Sequence, residues 1–470
     1  MAKQEDLFKN VVSHAKEYGF IFPSSEIYDG LSAVYDYAQS HDDHLSLQER
    51  MRHPVAFHAE MMGDIMHLHQ ALQQPDAPQF VQAVVREING HIKNDHWRLI
   101  RRDEVPKGHK VTPSVWAMRR KRNLITNEIK SHEARLNLHG GKQVYGVNYF
   151  ETYAPVVTWF AIRLMIIVAI MLRRSLRQID FVMAYTQAPI ETDLYMEIPH
   201  GIEMTEGNTK DYVLQLLANL YGQKQAGRVW NQYLVNKLES IGFTQSRIDE
   251  CVFYRDDIIF IVYVDDGIFL GTSDDQLSHV IKELTDIGLQ VEDQGHPADY
   301  VGVNINRLPD GSYKFSQRTL IDSIIADVGL TSHDFTKPVP AKCTLRLHAF
   351  LDSPPFQEQW NYRSAVGKLN YLSQTSRPDI QYATHMVAKY SSNPKQEHGQ
   401  AIIYIARYLI KTRDLGLHFK PDSSKGFYCY ADADFSGEWN KEFAELDPST
   451  AKSRSGWFIL YANCPVIWCS

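Results

Sequence analysis

The sequence predicts an α+β fold, because short β-rich runs and helical runs are interleaved along it without a fixed repeat. The clearest β signal is "IIFIVYVDDGIFLGT", residues 258–272, two apolar strands meeting at Val264-Asp265-Asp266-Gly267. The clearest helical signal is the apolar run from Trp159 to Leu172. That run carries Arg163 and is too short to span a bilayer, so it reads as a buried helix and no membrane partner is expected.

Taken in order, residues 40–87 carry a helical pattern, with Met61, Met62, Ile65, Met66 and Leu68 apolar and a Gln-Gln-Pro-Asp break near 75. His53, His58, His67 and His69 lack a carboxylate or Cys to complete a ligand set and are read as surface residues. Residues 97–122 read as a strand, a turn at Val105-Pro106-Lys107-Gly108 and a basic strand. A strand holds Asp180, a helix is expected from about Gln225 to Ile241, and strands follow at 251–255, 258–263 and 267–271. Residues 427–470 read as three further strands.

Apolar residues make up 44% of the 470, aromatic residues 11% and charged residues 22%, which supplies cores for several subdomains and excludes a disordered or fibrous chain. Cys251, Cys343, Cys429, Cys464 and Cys469 show no CxxC spacing, which fits a reducing compartment and argues against structural zinc. The net charge of -7 counts against a nucleic-acid partner, but its distribution does not. Between Arg86 and Lys142, 14 Lys or Arg stand against 6 Asp or Glu, including the run Arg119-Arg120-Lys121-Arg122. A solvated strand pair explains that run equally well by itself.

Two adjacent carboxylates in a tight turn are one more than an Asp-Gly turn requires. A hard cation accounts for the second, because Mg2+ takes a few carboxylate oxygens together with water and substrate phosphates. The chain carries its own control in Asp256-Asp257, another paired-acid turn that is read as an ordinary solvated one. A third acid separates the two. In "RQIDFVMAYTQAPI", Asp180 lies between Ile179 and Phe181, where a lone buried carboxylate is costly unless paired or bound to metal. A strand Asp with a hairpin Asp pair is the constellation by which palm-type polymerases hold two metal ions.

A collinear set of segments then makes a family resemblance specific: "EARLNLHGG" (133–141), "ETYAPVVTW" (151–159), "QIDFVMAYTQAPI" (178–190), "LYGQKQAGRVW" (220–230), "YVDD" (263–266) and "SRPDI" (376–380). Over roughly residues 50–470 the chain resembles the reverse transcriptase region of copia-type LTR retrotransposon Pol polyproteins. The resemblance implies a right-hand polymerase spanning 90–300, with basic fingers near 90–178 and a palm from about 179, then a thumb or connecting region over 301–426. It implies an RNA-directed DNA polymerase that adds deoxynucleotides to a primer 3′-hydroxyl with two Mg2+ ions. Its partners would be an RNA or DNA template-primer and deoxynucleoside triphosphates, in a cytoplasmic virus-like particle.

By the same resemblance, Asp180 and Asp265 are the principal metal ligands and Asp266 supports them. Tyr185 falls where this class keeps a ring that rejects a 2′-hydroxyl, with a core tyrosine as the alternative. Arg135 falls at a triphosphate-binding cation, and Tyr221, Gly222, Lys224 and Gln225 match a motif lining the nucleotide pocket. The pattern departs from the family at Glu133, where Lys is usual, and at Gly227, where many relatives carry Pro.

Residues 427–470 resemble the opening of a ribonuclease H domain in which Asp432 would be the first metal-binding acid; the later acids are not in this sequence, so no nuclease activity is expected. Those three strands are expected to lack covering helices. Residues 1–39 resemble the amino terminus of bacterial glycyl-tRNA synthetases through Phe22-Pro23-Ser24-Ser25-Glu26-Ile27-Tyr28 and Gly30-Leu31-Ser32-Ala33, and 40–89 form a helical leader. No ATP-site motif follows, which opposes a synthetase-related role. A second reading stays open: a catalytically inert relic that only binds nucleic acid, favoured by Glu133 and opposed by the three intact acids.

Overall fold

The computed structural model describes residues 64–469, apart from 123–127, 203–207, 343–346, 350–351, 436, 438, 440 and 442–446. Helix and sheet are mixed throughout, as the α+β reading requires. Two compact units divide the described chain: one runs up to Val157 and resumes over Arg177–Gly295, and the other takes Thr158–Leu176 and the chain from His296. The synthetase-like start and the first part of the leader lie outside the described residues.

The first unit contains a sheet with the strand order Val291–Gly295, Ser175–Phe181, Asp266–Gly271, Ile258–Tyr263, Val252–Arg255, Thr244–Gln245. In Ile258–Tyr263 and Asp266–Gly271 the buried residues are nearly consecutive, so both faces of the hairpin are covered. Helix Ala226–Ser240 sets Trp230 against Phe181, with ring centroids 5.2 Å apart. Helix Asp274–Asp286 starts at Ser273, whose hydroxyl accepts from the Gln276 amide, and adds Leu277, Val280 and Leu284 to the core.

Within the hairpin Phe260 stacks on Phe269 at 4.1 Å, both fully buried. That stack leaves no space at the neighbouring position: a Cβ on Gly267 would come within 2.5 Å of the Phe260 ring and 3.0 Å of Ile179. Gly267→Ala is therefore expected to destabilise the protein by about 1–3 kcal/mol through overpacking. An unchanged urea midpoint would show that Phe260 can move aside.

The basic hairpin, Ser114–Arg122 paired antiparallel with Ile129–Leu138, belongs to another sheet of this unit, with helix Ala77–Lys93 packed against the second strand. Trp116, Met118, Ala134, Leu136 and Leu138 are buried in alternation with less buried neighbours. Part of the basic run serves the fold, since Arg120 bonds Asp76 at 2.7 Å and Arg122 bonds Asp64 at 2.6 Å. Both strands read within 97–122 form, Trp97–Arg101 and Ser114–Arg122, but in different sheets: Trp97–Arg101 pairs with Tyr212–Leu216, where Leu214 and Leu216 supply buried partners.

In the second unit, residues 159–169 are all buried, Arg163 included, as an apolar helix of this length requires. Thr158 caps the helix by accepting from the Ala161 amide, and Arg173 closes it in the left-handed region. Arg163 donates to the carbonyls of Val466, Thr375 and Gln374 and lies 3.9 Å from the Trp468 ring centroid. Trp468 donates to the Ser373 carbonyl. These bonds fasten strand Cys464–Cys469 to helices Trp159–Leu172 and Tyr362–Thr375, so the expectation of an uncovered terminal sheet fails at that edge. At the other edge every residue of Phe427–Ala433 is exposed.

Candidate active site

The strand Ser175–Phe181 neighbours the Asp-Asp hairpin in the sheet, and the Phe181 amide donates to the Asp265 carbonyl at 2.8 Å. That bond sets Asp180 beside Asp265. The turn is two residues long, since Tyr263 pairs with Asp266 across it. Val264 adopts a φ of 57°, a conformation that two-residue hairpins ordinarily give to glycine and that a β-branched residue enters only under constraint. The constraint is the Trp230 indole, which donates to the Val264 carbonyl at 2.7 Å.

Burial, with the charge of Asp265, pushes the Asp180 carboxyl up to about 6; Glu292 adds to the rise while Lys121 and Arg135 oppose it. The Glu292 contribution follows from register, because Glu292 and Asp180 are directly opposed across antiparallel strands and their side chains share a face. Asp266 opens the strand after the turn, and Asp265 and Glu292 are the acids that chiefly shift Asp180. Repelling carboxylates of this kind suit a hard dication. Among the described residues no group of three or more His, Cys, Asp or Glu forms a metal cage. Neighbouring carboxylates are the donors Mg2+ takes when water and substrate phosphates complete its shell, so Asp180 and Asp265 are the residues that would hold it.

Arg135 lies 4.9 Å from the centroid of the Tyr221 ring, and Tyr221 meets Tyr185 at 4.8 Å. Burial works against the Arg135 charge, but Tyr221, Asp265, Glu133 and Glu87 more than offset it and hold its pKa above the arginine range. Burial, reinforced by Asp265, pushes the Tyr185 and Tyr263 phenols up to about 12, so both stay neutral. Asp265 acts electrostatically on Asp180, Arg135, Tyr185 and Tyr221, which groups these side chains around the Asp-Asp turn.

The remaining motif residues have other neighbours. Gly222 has a φ of 82°, and a Cβ there would lie 2.3 Å from the Leu138 carbonyl oxygen, so only glycine lets the motif turn against that strand. Lys224 stands exposed with its ammonium 3.0 Å from the Tyr149 hydroxyl. Gln225 is buried and accepts from the Gln143 amide. Glu133 is met by Lys121 at 3.8 Å, so the departure from the family pattern has its own counter-charge. Sequence reading gave Glu292 and Lys121 no place in the site, because only strand registration brings them to Asp180 and Glu133. Asp432 lies in the second unit on the exposed strand Phe427–Ala433.

Comparison with known proteins agrees with the motifs. The profile of the reverse transcriptase (RNA-dependent DNA polymerase) family matches residues 94–342. The retrovirus-related Pol polyprotein from transposon RE2 of Arabidopsis thaliana is 29% identical over 404 residues, covering 85% of this chain and 26% of that protein. The Pol polyprotein from transposon TNT 1-94 of Nicotiana tabacum is 28% identical over 416 residues, covering 85% of this chain and 30% of that protein. A putative transposon Ty5-1 protein of Saccharomyces cerevisiae is 28% identical over 291 residues, covering 61% of this chain and 90% of its own length. The chain thus spans less than a third of the plant polyproteins.

Proposed function

Because this chain belongs to the reverse transcriptase (RNA-dependent DNA polymerase) family, we propose that its first unit adds deoxynucleotides to a primer 3′-hydroxyl on an RNA or DNA template. The observation that carries the reading is the Phe181 amide to Asp265 carbonyl bond, which brings two motif acids together within electrostatic reach of Arg135. Asp180 and Asp265 would hold two Mg2+ ions, with Asp266 in support. When bound, Mg2+ activates the primer hydroxyl and neutralises the triphosphate.

Arg135 offers its planar, permanently charged fork to triphosphate oxygens, and its seat on Tyr221 fixes that fork before substrate arrives. Tyr185, neutral at working pH, would be the ring that rejects a 2′-hydroxyl. In this reading the basic hairpin serves as fingers, the sheet holding Asp180 as palm, the helices of the second unit as thumb and connection, and 427–470 as the start of a ribonuclease H-like module. Glu133, the residue that favours an inert relic, is offset by Lys121.

Primer extension on poly(rA)/oligo(dT) with Mg2+ tests the reading. Extension that disappears in Asp265→Asn supports it. A folded, template-binding wild type that extends nothing overturns it in favour of the inert relic. Arg135→Ala is expected to lower kcat/KM for nucleotide by roughly a hundredfold, mostly through KM, as losing a charge-assisted contact worth about 2–3 kcal/mol does. Steady-state kinetics at fixed template-primer check this, and an unchanged nucleotide KM would remove Arg135 from the triphosphate site.

A further inference from the structure

Residues 142–150 form a rigid, aromatic and basic ledge that the site chemistry does not use. Val144, Tyr145, Val147 and Phe150 are 46%, 70%, 53% and 59% exposed, and contiguous apolar exposure of this kind marks a partner surface. The segment is held firmly in that shape. Asn148 is 2% exposed, its side-chain oxygen accepting from the Val144 amide while its own amide donates to the Val144 carbonyl at 2.9 Å. The Gly146 amide donates to the Tyr149 carbonyl at 2.9 Å, and the Tyr145 and Tyr149 rings meet edge-on at 5.7 Å.

Cations border it, with Glu151 next along the chain and Thr192, between Glu191 and Asp193, donating to the Asn148 carbonyl. No acidic residue occurs from 141 to 150, Lys142 is exposed, and the Lys224 ammonium sits 4.5 Å from the Tyr149 ring centroid. Outward rings among cations suit an occupant with flat faces and phosphates, and in a duplex those faces are already stacked on one another. The ledge is also tied to the site: Gln143 accepts from the Lys224 amide at 2.8 Å and donates to Gln225, in the same motif as Tyr221.

We propose that residues 142–150 are a stacking platform for unpaired template nucleotides, a role whose placement beside the site rests on the polymerase reading. Full-length protein is titrated with fluorescent RNA/DNA duplex, either blunt or bearing a 5′ template overhang, in wild type, Tyr145→Ala/Phe150→Ala and Tyr145→Trp. The wild type is expected to bind the overhang substrate about tenfold more tightly than the blunt one. The double alanine variant should lose that preference and keep the blunt affinity, and Tyr145→Trp should retain it. An equal affinity for both substrates in the wild type, or a preference that survives in the alanine variant, overturns the proposal. Loss of self-association in that variant, with nucleic-acid affinity unchanged, overturns it in favour of a protein partner. Extension assays on the same substrates separate the two readings: overhang preference without extension defeats the polymerase assignment alone, and extension without overhang preference defeats the ledge alone.

Discussion

Asp180→Asn is expected to abolish primer extension while making the protein more stable near neutral pH. The loss of activity should be at least about a thousandfold, since a ligand that holds a charge-neutralising cation contributes several kcal/mol to such a reaction. The gain in stability follows from the raised pKa. Asp180 rises from an ordinary 3.8 to about 6 in the folded protein, so the folded state holds the proton more tightly than the unfolded chain does. Ionising Asp180 therefore opposes folding: the cost is absent below 3.8, grows between 3.8 and about 6, and is complete above that. Asparagine removes it, for a gain on the order of 1–2 kcal/mol after allowance for solvent screening. Denaturation midpoints should thus favour the variant at about pH 8 and converge towards about pH 4. Mg2+ should raise the wild-type Tm and leave the variant's nearly unchanged, because a ligand stabilises only the state that binds it. A variant that is active, or that is less stable than wild type at the higher pH, would sink the cation-site assignment.

How much of this was legible in the sequence depends on which interactions are local. The hairpin at 258–263 and 266–271 and the buried helix 159–172 follow from period and composition, and the structure returns them nearly residue for residue. Asp180 and Asp265 were legible as chemistry because an acid inside an apolar strand needs an explanation. Glu292 was not, since its relevance depends on being registered opposite Asp180, and no local pattern encodes which strand lies alongside. Lys121 was hidden in a basic run whose neighbours turn out to pair with Asp76 and Asp64. The uncovered tail sheet was misjudged for the same reason: the Arg163 to Val466 bond joins positions too far apart in the chain for any motif to link.

Arg377→Ala is expected to be the most destabilising substitution considered, although Arg377 belongs to a motif that identifies the family rather than to the candidate active site. Its side chain is 1% exposed and fully engaged. Nε and Nη2 donate to the Asp379 carboxylate at 2.9 and 2.7 Å, and Nη1 and Nη2 reach the Thr412 carbonyl and hydroxyl at 2.9 and 2.7 Å. Thr412 follows helix Gln396–Lys411, and its carbonyl accepts from both Arg377 and the Leu415 amide. Tyr408 closes the clasp by donating to Asp379 at 2.7 Å. Asp379 keeps 35% of its side chain exposed, so the loss falls mainly on the buried side of the clasp: the space Arg377 vacates and the bonds it gives cost about 2–4 kcal/mol.

The pH dependence distinguishes this mechanism from simple loss of packing. Burial works against the Asp379 charge, but Arg377 and Tyr408 more than offset it and hold the carboxyl below its ordinary 3.8. In wild type that depression contributes stability fully present above 3.8 and lost as pH falls below it. In Arg377→Ala the lowering by Arg377 is lost and the carboxyl moves back up from its depressed value. The stability gap between the two proteins should therefore be full near neutral pH and narrow only as pH falls below 3.8. Arg377→Ala/Asp379→Asn should recover part of the loss, and Arg377→Lys little of it, since a point charge cannot span Asp379 and the helix end together. Urea denaturation across that pH range decides the matter: a gap that does not change with pH, or a double variant no better than the single, would mean that SRPDI holds the helices by shape rather than by charge.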